Sequence, residues 1–248
     1  MIHKRQAAFV IAGLLAFAPA AEAAPEWNVT PYLWAAGFDG SIGVAGGNAG
    51  LGDRVSLEFN KFEDNLKLGG FMLNASWRDG RWTAFGDYTY AKVESDSSTR
   101  VPNLYGSVNG QVKGSIIQGN VGYDLGAGGT SHFDVYGGFR YYDLDIRMGL
   151  TGGALPGTDL SGDAKWTDGV VGVRWATDFA QNWQGLVQAD VGAGGSNVSW
   201  QAIGAVGYRF NFGSIVGGWR YLKVDYDDGP YVLDAALTGP FIGASFRF

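Results

Sequence analysis

The sequence predicts an all-β protein, a single antiparallel up-and-down barrel that crosses a membrane. Three observations carry that prediction. Apolar and polar residues alternate along most of the chain, the period of a strand with one apolar and one polar face. The alternating segments run about 9–12 residues, enough to cross a bilayer when tilted about 45°; strands of soluble sandwiches are nearer about 5–6. Their ends carry aromatic rings: Trp27, Trp77, Trp82, Trp166, Trp175, Trp183, Trp200, Tyr208 and Phe210. Such rings settle at the membrane–water interface.

Composition narrows the choice. Of 248 residues, 41 are Gly, 15% are aromatic and 17% are charged, with 18 Lys+Arg against 24 Asp+Glu. Average usage is about 7% Gly and about 25% charged. The aromatic content argues against disorder, and no Gly period of three suggests collagen. With no cysteine there is neither a disulfide framework nor a thiolate metal site. An acidic chain without a basic run is expected to have no nucleic-acid partner. A mean hydropathy near zero does not fit a bundle of apolar membrane helices. A soluble sandwich would turn the same apolar faces into a core. The Gly content favours the barrel, because Gly weakens a strand in water but relieves crowding against aromatics on a curved wall.

The elements follow in order. Residues 1–23 read as a secretory signal peptide: a basic start at His3, Lys4 and Arg5, an apolar run from Ala7 to Ala21, and an Ala21-Glu22-Ala23 cleavage signal between Ala23 and Ala24. The apolar run is too short for a membrane anchor, and no cysteine follows it for acylation. Residues 24–248 then form one barrel domain. A first strand, 27–37, rises from the periplasm. Residues 39–60 decide the strand number. Leu51, Asp53, Val55, Leu57 and Phe59 alternate with Arg54, Ser56 and Glu58, which reads as a strand. Gly40 to Asn48 is its weaker partner. That extra hairpin gives twelve strands, the favoured count; without it the count is ten. Phe59 to Leu66 has the character of a helical turn and is expected to cap or enter the lumen. Nine strands follow, at 66–77, 81–93, 111–125, 132–147, 165–177, 183–192, 199–210, 214–226 and 231–248. Connections at Arg78-Asp79-Gly80, Gly126 to Ser131, Asp178 to Asn182 and Asn211 to Gly213 are short. Those at Glu94 to Gly110 and Met148 to Ala164 are longer and polar. Short turns belong to the periplasmic side and long ones to the outside.

A small–aromatic–Arg–aromatic motif recurs at Gly138-Phe139-Arg140-Tyr141, Gly207-Tyr208-Arg209-Phe210, Gly218-Trp219-Arg220-Tyr221 and Ser245-Phe246-Arg247-Phe248. On a strand it turns the rings to lipid and the Arg to the lumen. The predicted lumen set is Asp87, Asp124, Asp134, Arg140, Asp168, Arg174, Asp190, Arg209 and Arg220. A ring of cations would select anions. Pairing of each Arg with a carboxylate is the simpler expectation, because a buried unpaired Arg costs several kcal/mol, roughly, in stability.

The chain ends Gly239-Pro240-Phe241-Ile242-Gly243-Ala244-Ser245-Phe246-Arg247-Phe248, with apolar residues at alternate positions and a terminal Phe. This resembles the final strand of Gram-negative outer-membrane β-barrels, where the barrel-assembly machinery recognises an aromatic last residue. Phe246 and Phe248 carry that signature. Trp27 to Gly40 and Gly80 to Tyr90 are similar to segments of uncharacterised proteobacterial outer-membrane barrels. The resemblance implies a place in the bacterial outer membrane, with its lipid and the assembly machinery as partners. It implies no substrate and no catalytic residue.

Chemistry is scarce. The chain has 2 His. His3 lies in the signal peptide and His132 beside a periplasmic turn. The outer face, where lipid hydrolases and proteases of this fold work, therefore lacks a general base. No enzyme activity, cofactor or metal is expected. Asp225, Asp227, Asp228 and Asp234 read as solvated loop acids rather than a Ca²⁺ site, and the Gly runs at 126–129 and 192–195 read as turns. Two functions remain. A narrow pore for small polar solutes is the leading expectation, since ten to twelve strands fall between filled small barrels and open porins. The alternative is a closed structural or surface-interaction barrel acting through 94–110 and 148–164.

Overall fold

The computed structural model describes residues 25–44, 55–59, 69–95, 105–126, 130–152, 158–228 and 231–248. The expected signal peptide, residues 1–23, with its Ala23–Ala24 cleavage point lies outside them. So do the helical turn beyond Phe59, the Gly run after Gly126 and the tips of the long connections. The strands are β1 (Glu26–Trp34), β2 (Gly37–Val44), β3 (Val55–Phe59), β4 (Gly69–Asp79), β5 (Trp82–Ser95), β6 (Tyr105–Asp124), β7 (Ser131–Gly152), β8 (Thr158–Ala180), β9 (Trp183–Gly194), β10 (Val198–Phe210), β11 (Gly213–Asp228) and β12 (Tyr231–Arg247).

Every pairing is antiparallel, and β1 pairs with both β4 and β12, which closes the sheet into a barrel. At the seam Trp27 and Phe248 exchange backbone hydrogen bonds of 3.2 and 2.9 Å, so the last residue is tied into the ladder. The ring has ten staves, not the favoured twelve. A β2–β3 hairpin does form, but it lies on the ring's outer end instead of between two staves. β2 continues β1 along β12 without a change of register: Trp34 faces Phe241 and Gly37 faces Thr238. Between them Ala35 N–H donates to the Pro240 carbonyl at 2.9 Å, and Pro240 has no N–H to return the bond. The ladder is interrupted there, but the chain does not reverse. β3 then pairs with β2 on the side where β4 pairs with β1. Each of the first two staves is thus built from two segments.

The outward faces form a band. On β7 they read Phe133, Val135, Gly137, Phe139 and Tyr141 before Asp143. On β6 they read Tyr123, Val121, Gly119, Ile117 and Ser115 before Lys113. On β11 they read Ile215, Gly217, Trp219 and Tyr221 before Lys223. Nine residues at about 3.3 Å each, tilted, make a band of roughly 20 Å, close to the height of the apolar belt of such barrels. Ring pairs edge it below, with centroids 6.4 Å apart for Trp27–Trp77, 5.1 Å for Trp82–Tyr123 and 5.1 Å for Trp183–Tyr208. Trp200 stacks on Tyr221 at 4.5 Å near the upper edge. Above the band the charges pair: Lys165 with Asp143 at 3.2 Å and Lys223 with Asp234 at 3.1 Å. Each hydrogen bond to a carboxylate holds the lysine above its ordinary pKa.

Trp166 is the exception among the rings assigned to the membrane edge. It points inward and is buried. Its position shares parity with Asp168 and Arg174, also inward on β8, and a strand cannot send alternate residues to different faces.

The turns at the end carrying both termini are short. Gly80 adopts φ 54°, a left-handed conformation that favours Gly in a two-residue hairpin. The opposite rim is uneven. β6, β7 and β8 rise high, whereas β9 and β10 are joined through residues 195–197 alone.

Candidate functional site

The inward faces divide the interior into three layers. The middle layer is a buried polar network. Arg140 pairs with Asp190 and donates to Gln118 Oε1 from Nε at 3.2 Å and Nη2 at 3.1 Å. Asp190 also accepts from Tyr136 at 2.9 Å and Gln201 at 3.1 Å. Gln201 Oε1 accepts from Arg220 Nε at 2.8 Å. Arg220 Nη1 reaches Tyr32 at 2.6 Å and Asp87 at 2.9 Å, and Tyr32 donates to Asp87 at 2.8 Å. The network crosses the barrel between β1, β5, β6, β7, β9, β10 and β11. Arg140 is 0% exposed and Arg220 2%. Two cations are matched by two carboxylates, which offsets the cost of burying them.

The outer layer is apolar. Tyr142, Trp166 and Tyr226 stack face to face, with centroids 4.5 and 4.1 Å apart. Met72, Leu222, Val224 and Leu233 pack with them. The short β9–β10 connection lets Trp166 of β8 meet Tyr226 of β11 across the gap above it. Asp168 holds that connection in. It accepts from Ser196 N–H at 2.8 Å, Ser196 Oγ at 2.7 Å and Ser199 Oγ at 2.8 Å.

The periplasmic layer contains a cavity of about 370 Å³ that runs from the rim near Glu26 and Arg247 up to Arg220 and Gln201. Arg78, Asn120, Arg174, Gln188 and the Phe85 ring contribute to its wall. At its rim Arg209 pairs with Asp178 at 3.0 Å and Arg247 lies 3.9 Å from Glu26. All four motif arginines thus face a carboxylate.

The structure brings Asp87, Arg140, Asp190 and Arg220 into one network. Asp168 is diverted to the β9–β10 connection. Asp134 pairs with Arg78 at 2.6 Å. Asp124 secures a periplasmic turn, accepting from Gly126 N–H at 2.8 Å and contacting His132 Nδ1 at 2.7 Å. Arg174 lies over the Phe85 ring at 5.0 Å. The predicted lumen set leaves out Tyr32, Gln118, Tyr136 and Gln201, the neutral members of the network, and Tyr142 of the stack, although alternation puts Gln118 and Tyr136 on the inward faces. Parity with Arg140 was the available signal for Tyr136 and Tyr142. Among the described residues no three metal-ligating side chains cluster.

No family model matches the sequence, and no curated protein matches it. Among solved structures the chain is similar to Ail, the attachment invasion locus protein of Yersinia pestis, at 11% identity and TM-score 0.36, over 90% of this chain and 98% of that one. It is similar to the translocator domain of the autotransporter NalP from Neisseria meningitidis at 16% identity and TM-score 0.42, over 90% and 88%. It is also similar to a Pseudomonas aeruginosa FadL homologue at 8% identity and TM-score 0.37, over 90% and 89%. The chain's own geometry locates it. An even ring of antiparallel strands, an apolar outer band edged by aromatic rings, short turns at one end and a terminal Phe in the closing seam make it a β-barrel of the bacterial outer membrane, set in its lipid.

Proposed function

We propose that this barrel is non-conducting and acts at the cell surface through the tall wall of β6, β7 and β8 and the connections those strands carry. One observation supports the reading above others: the buried layer centred on Arg140, Asp190 and Arg220. A hydrated solute would have to part those ion pairs, and separating a buried pair costs about 3–5 kcal/mol. The uneven rim supports the surface role, because β6, β7 and β8, which run into the segments expected as long connections at 94–110 and 148–164, rise on one side of the barrel. We read no catalytic role into it: His132 contacts Asp124 at the periplasmic end, far from the outer face. We also infer that the assembly machinery reads Phe246 and Phe248, whose rings point outward beside the seam.

Planar-bilayer recording tests the first part. The expected result is no conductance above the lipid baseline; resolved single channels would overturn it. Replacing residues 96–104 and 153–157 with short Gly-Ser connections tests the second. The variant should keep the heat-modifiable gel migration of a folded barrel and lose binding to its surface partner, and unchanged binding counts against the proposal. A narrow solute channel is the second reading, favoured by the cavity that occupies the periplasmic half of the interior.

A further inference from the structure

The periplasmic cavity holds more donors than the protein satisfies. Among the described residues Tyr142 Oη and Trp166 Nε1 of the outer stack are buried without a hydrogen-bond partner, and so are Arg78 Nη1, Asn120 Nδ2, Arg174 Nε and Arg220 Nη2; of these Arg78 Nη1 still lies 3.6 Å from Asp124 as an ion pair. The last four belong to residues of the cavity wall. No acceptor of that wall shares the condition. An unmatched buried N–H costs about 1–3 kcal/mol, so such groups call for an explanation; here the arginine and asparagine donors gather on one wall.

Arg174 is the sharpest case. Its inward neighbours in register are Asp134 on β7 and Gln188 on β9. Asp134 is committed to Arg78 at 2.6 Å and to Thr83 at 3.3 Å. Gln188 is neutral. The other predicted lumen arginines, Arg140, Arg209 and Arg220, each pair with a carboxylate, whereas Arg174 makes none of the ion pairs among the described residues. Its guanidinium rests on the Phe85 ring, which leaves its N–H edges free to donate.

We propose that this cavity binds a small organic anion that enters from the periplasm. A carboxylate or phosphate group accepts from the Arg174 guanidinium, where charge-assisted and bidentate bonds are strongest. A volume of about 370 Å³ suits a ligand of metabolite size. The site needs the barrel but is indifferent to whether the barrel conducts, so bilayer recording and the following test fail independently.

The probes are gluconate, inorganic phosphate and sorbitol, a neutral polyol of gluconate's size, added to the folded barrel in detergent micelles at matched ionic strength with chloride. A ligand that binds only the folded state raises its unfolding temperature in a saturable way. Gluconate or phosphate should raise it by a few degrees and sorbitol should not. Arg174→Gln should abolish the response. Gln188→Glu places a carboxylate beside Arg174 in the adjacent strand, at a cross-strand Cβ separation of about 5 Å. It should raise the unfolding temperature without any anion and cancel the response, and it decides the matter should Arg174→Gln fail to fold. The proposal is overturned if neither anion gives a saturable shift, which leaves water as the partner of these donors. Sorbitol matching gluconate, or either variant keeping the full response, overturns it as well.

Discussion

Above the Arg140–Asp190 layer the inward side chains are stacked rings and aliphatic groups, with Asp168 and its two serines under the β9–β10 connection. Below it they are amides, hydroxyls and arginines around a cavity. The same strands build both halves, with the same alternation and the same outward band. Three things differ: what stands opposite each residue, how wide the local gap is, and whether each polar group has a partner. Toward the outside, the shortness of the β9–β10 connection lets β8 and β11 fill the space with Trp166 and Tyr226. Toward the periplasm the staves carry small or short inward residues such as Ser76, Ala205 and Gly207, and space remains.

Breaking the boundary between the halves should have the largest effect. Arg140→Gln leaves Asp190 buried without its cation and should cost about 4 kcal/mol, measured by denaturant unfolding in micelles. Trp166→Ala removes the middle ring of the outer stack and should cost about 3 kcal/mol. It should still leave the barrel non-conducting, because the polar layer beneath it is intact; channels in this variant would show that the outer stack is the barrier. Gly218→Ala tests how closely the staves approach. A Cβ there would lie 2.1 Å from the Gly204 carbonyl oxygen, and forcing the backbones apart should cost about 1–3 kcal/mol. Gly138 meets the Gly119 oxygen in the same way at 2.0 Å, which explains the small residue that precedes the ring in these two copies of the motif.

Arg174→Gln in the lower half should stay within about 0.5 kcal/mol of the parent in buffer without organic anions, or be slightly more stable, since it removes a charge that makes no ion pair among the described residues. The contrast with Arg140→Gln is the sharpest form of the comparison: two inward arginines with opposite consequences. The smallest effect is expected outside the band. Asp234→Asn breaks an exposed pair with Lys223, and surface pairs contribute little, so the unfolding temperature should not change measurably.

Much of this was legible from period two alone. Phe133 to Tyr141 and Trp200 to Phe210 sort by face as read. So do the four small–aromatic–Arg–aromatic copies, because a strand has only two faces and lipid accepts only one kind. Trp166 departs from the membrane edge that its ring suggests, because its parity with Asp168 turns it inward. The favoured count of twelve gives way to the alternative of ten for a different reason. The alternation at 51–59 marked a real strand, but nothing local says whether a chain reverses or runs on at Ala35, where only the pairing opposite Pro240 decides.

The sequence by itself determined which residues face lipid and which face the interior, because both follow from a two-residue repeat and a solvent without hydrogen bonds. It determined the short turns and the closing aromatic strand for the same local reasons. The tertiary structure alone decided that the ring closes at ten staves, that Arg140 meets Asp190 two strands away, and that Arg174 meets no carboxylate among the described residues. Those depend on the stagger between strands and on what lies across the barrel, and neither distance is written in the order of residues along one strand.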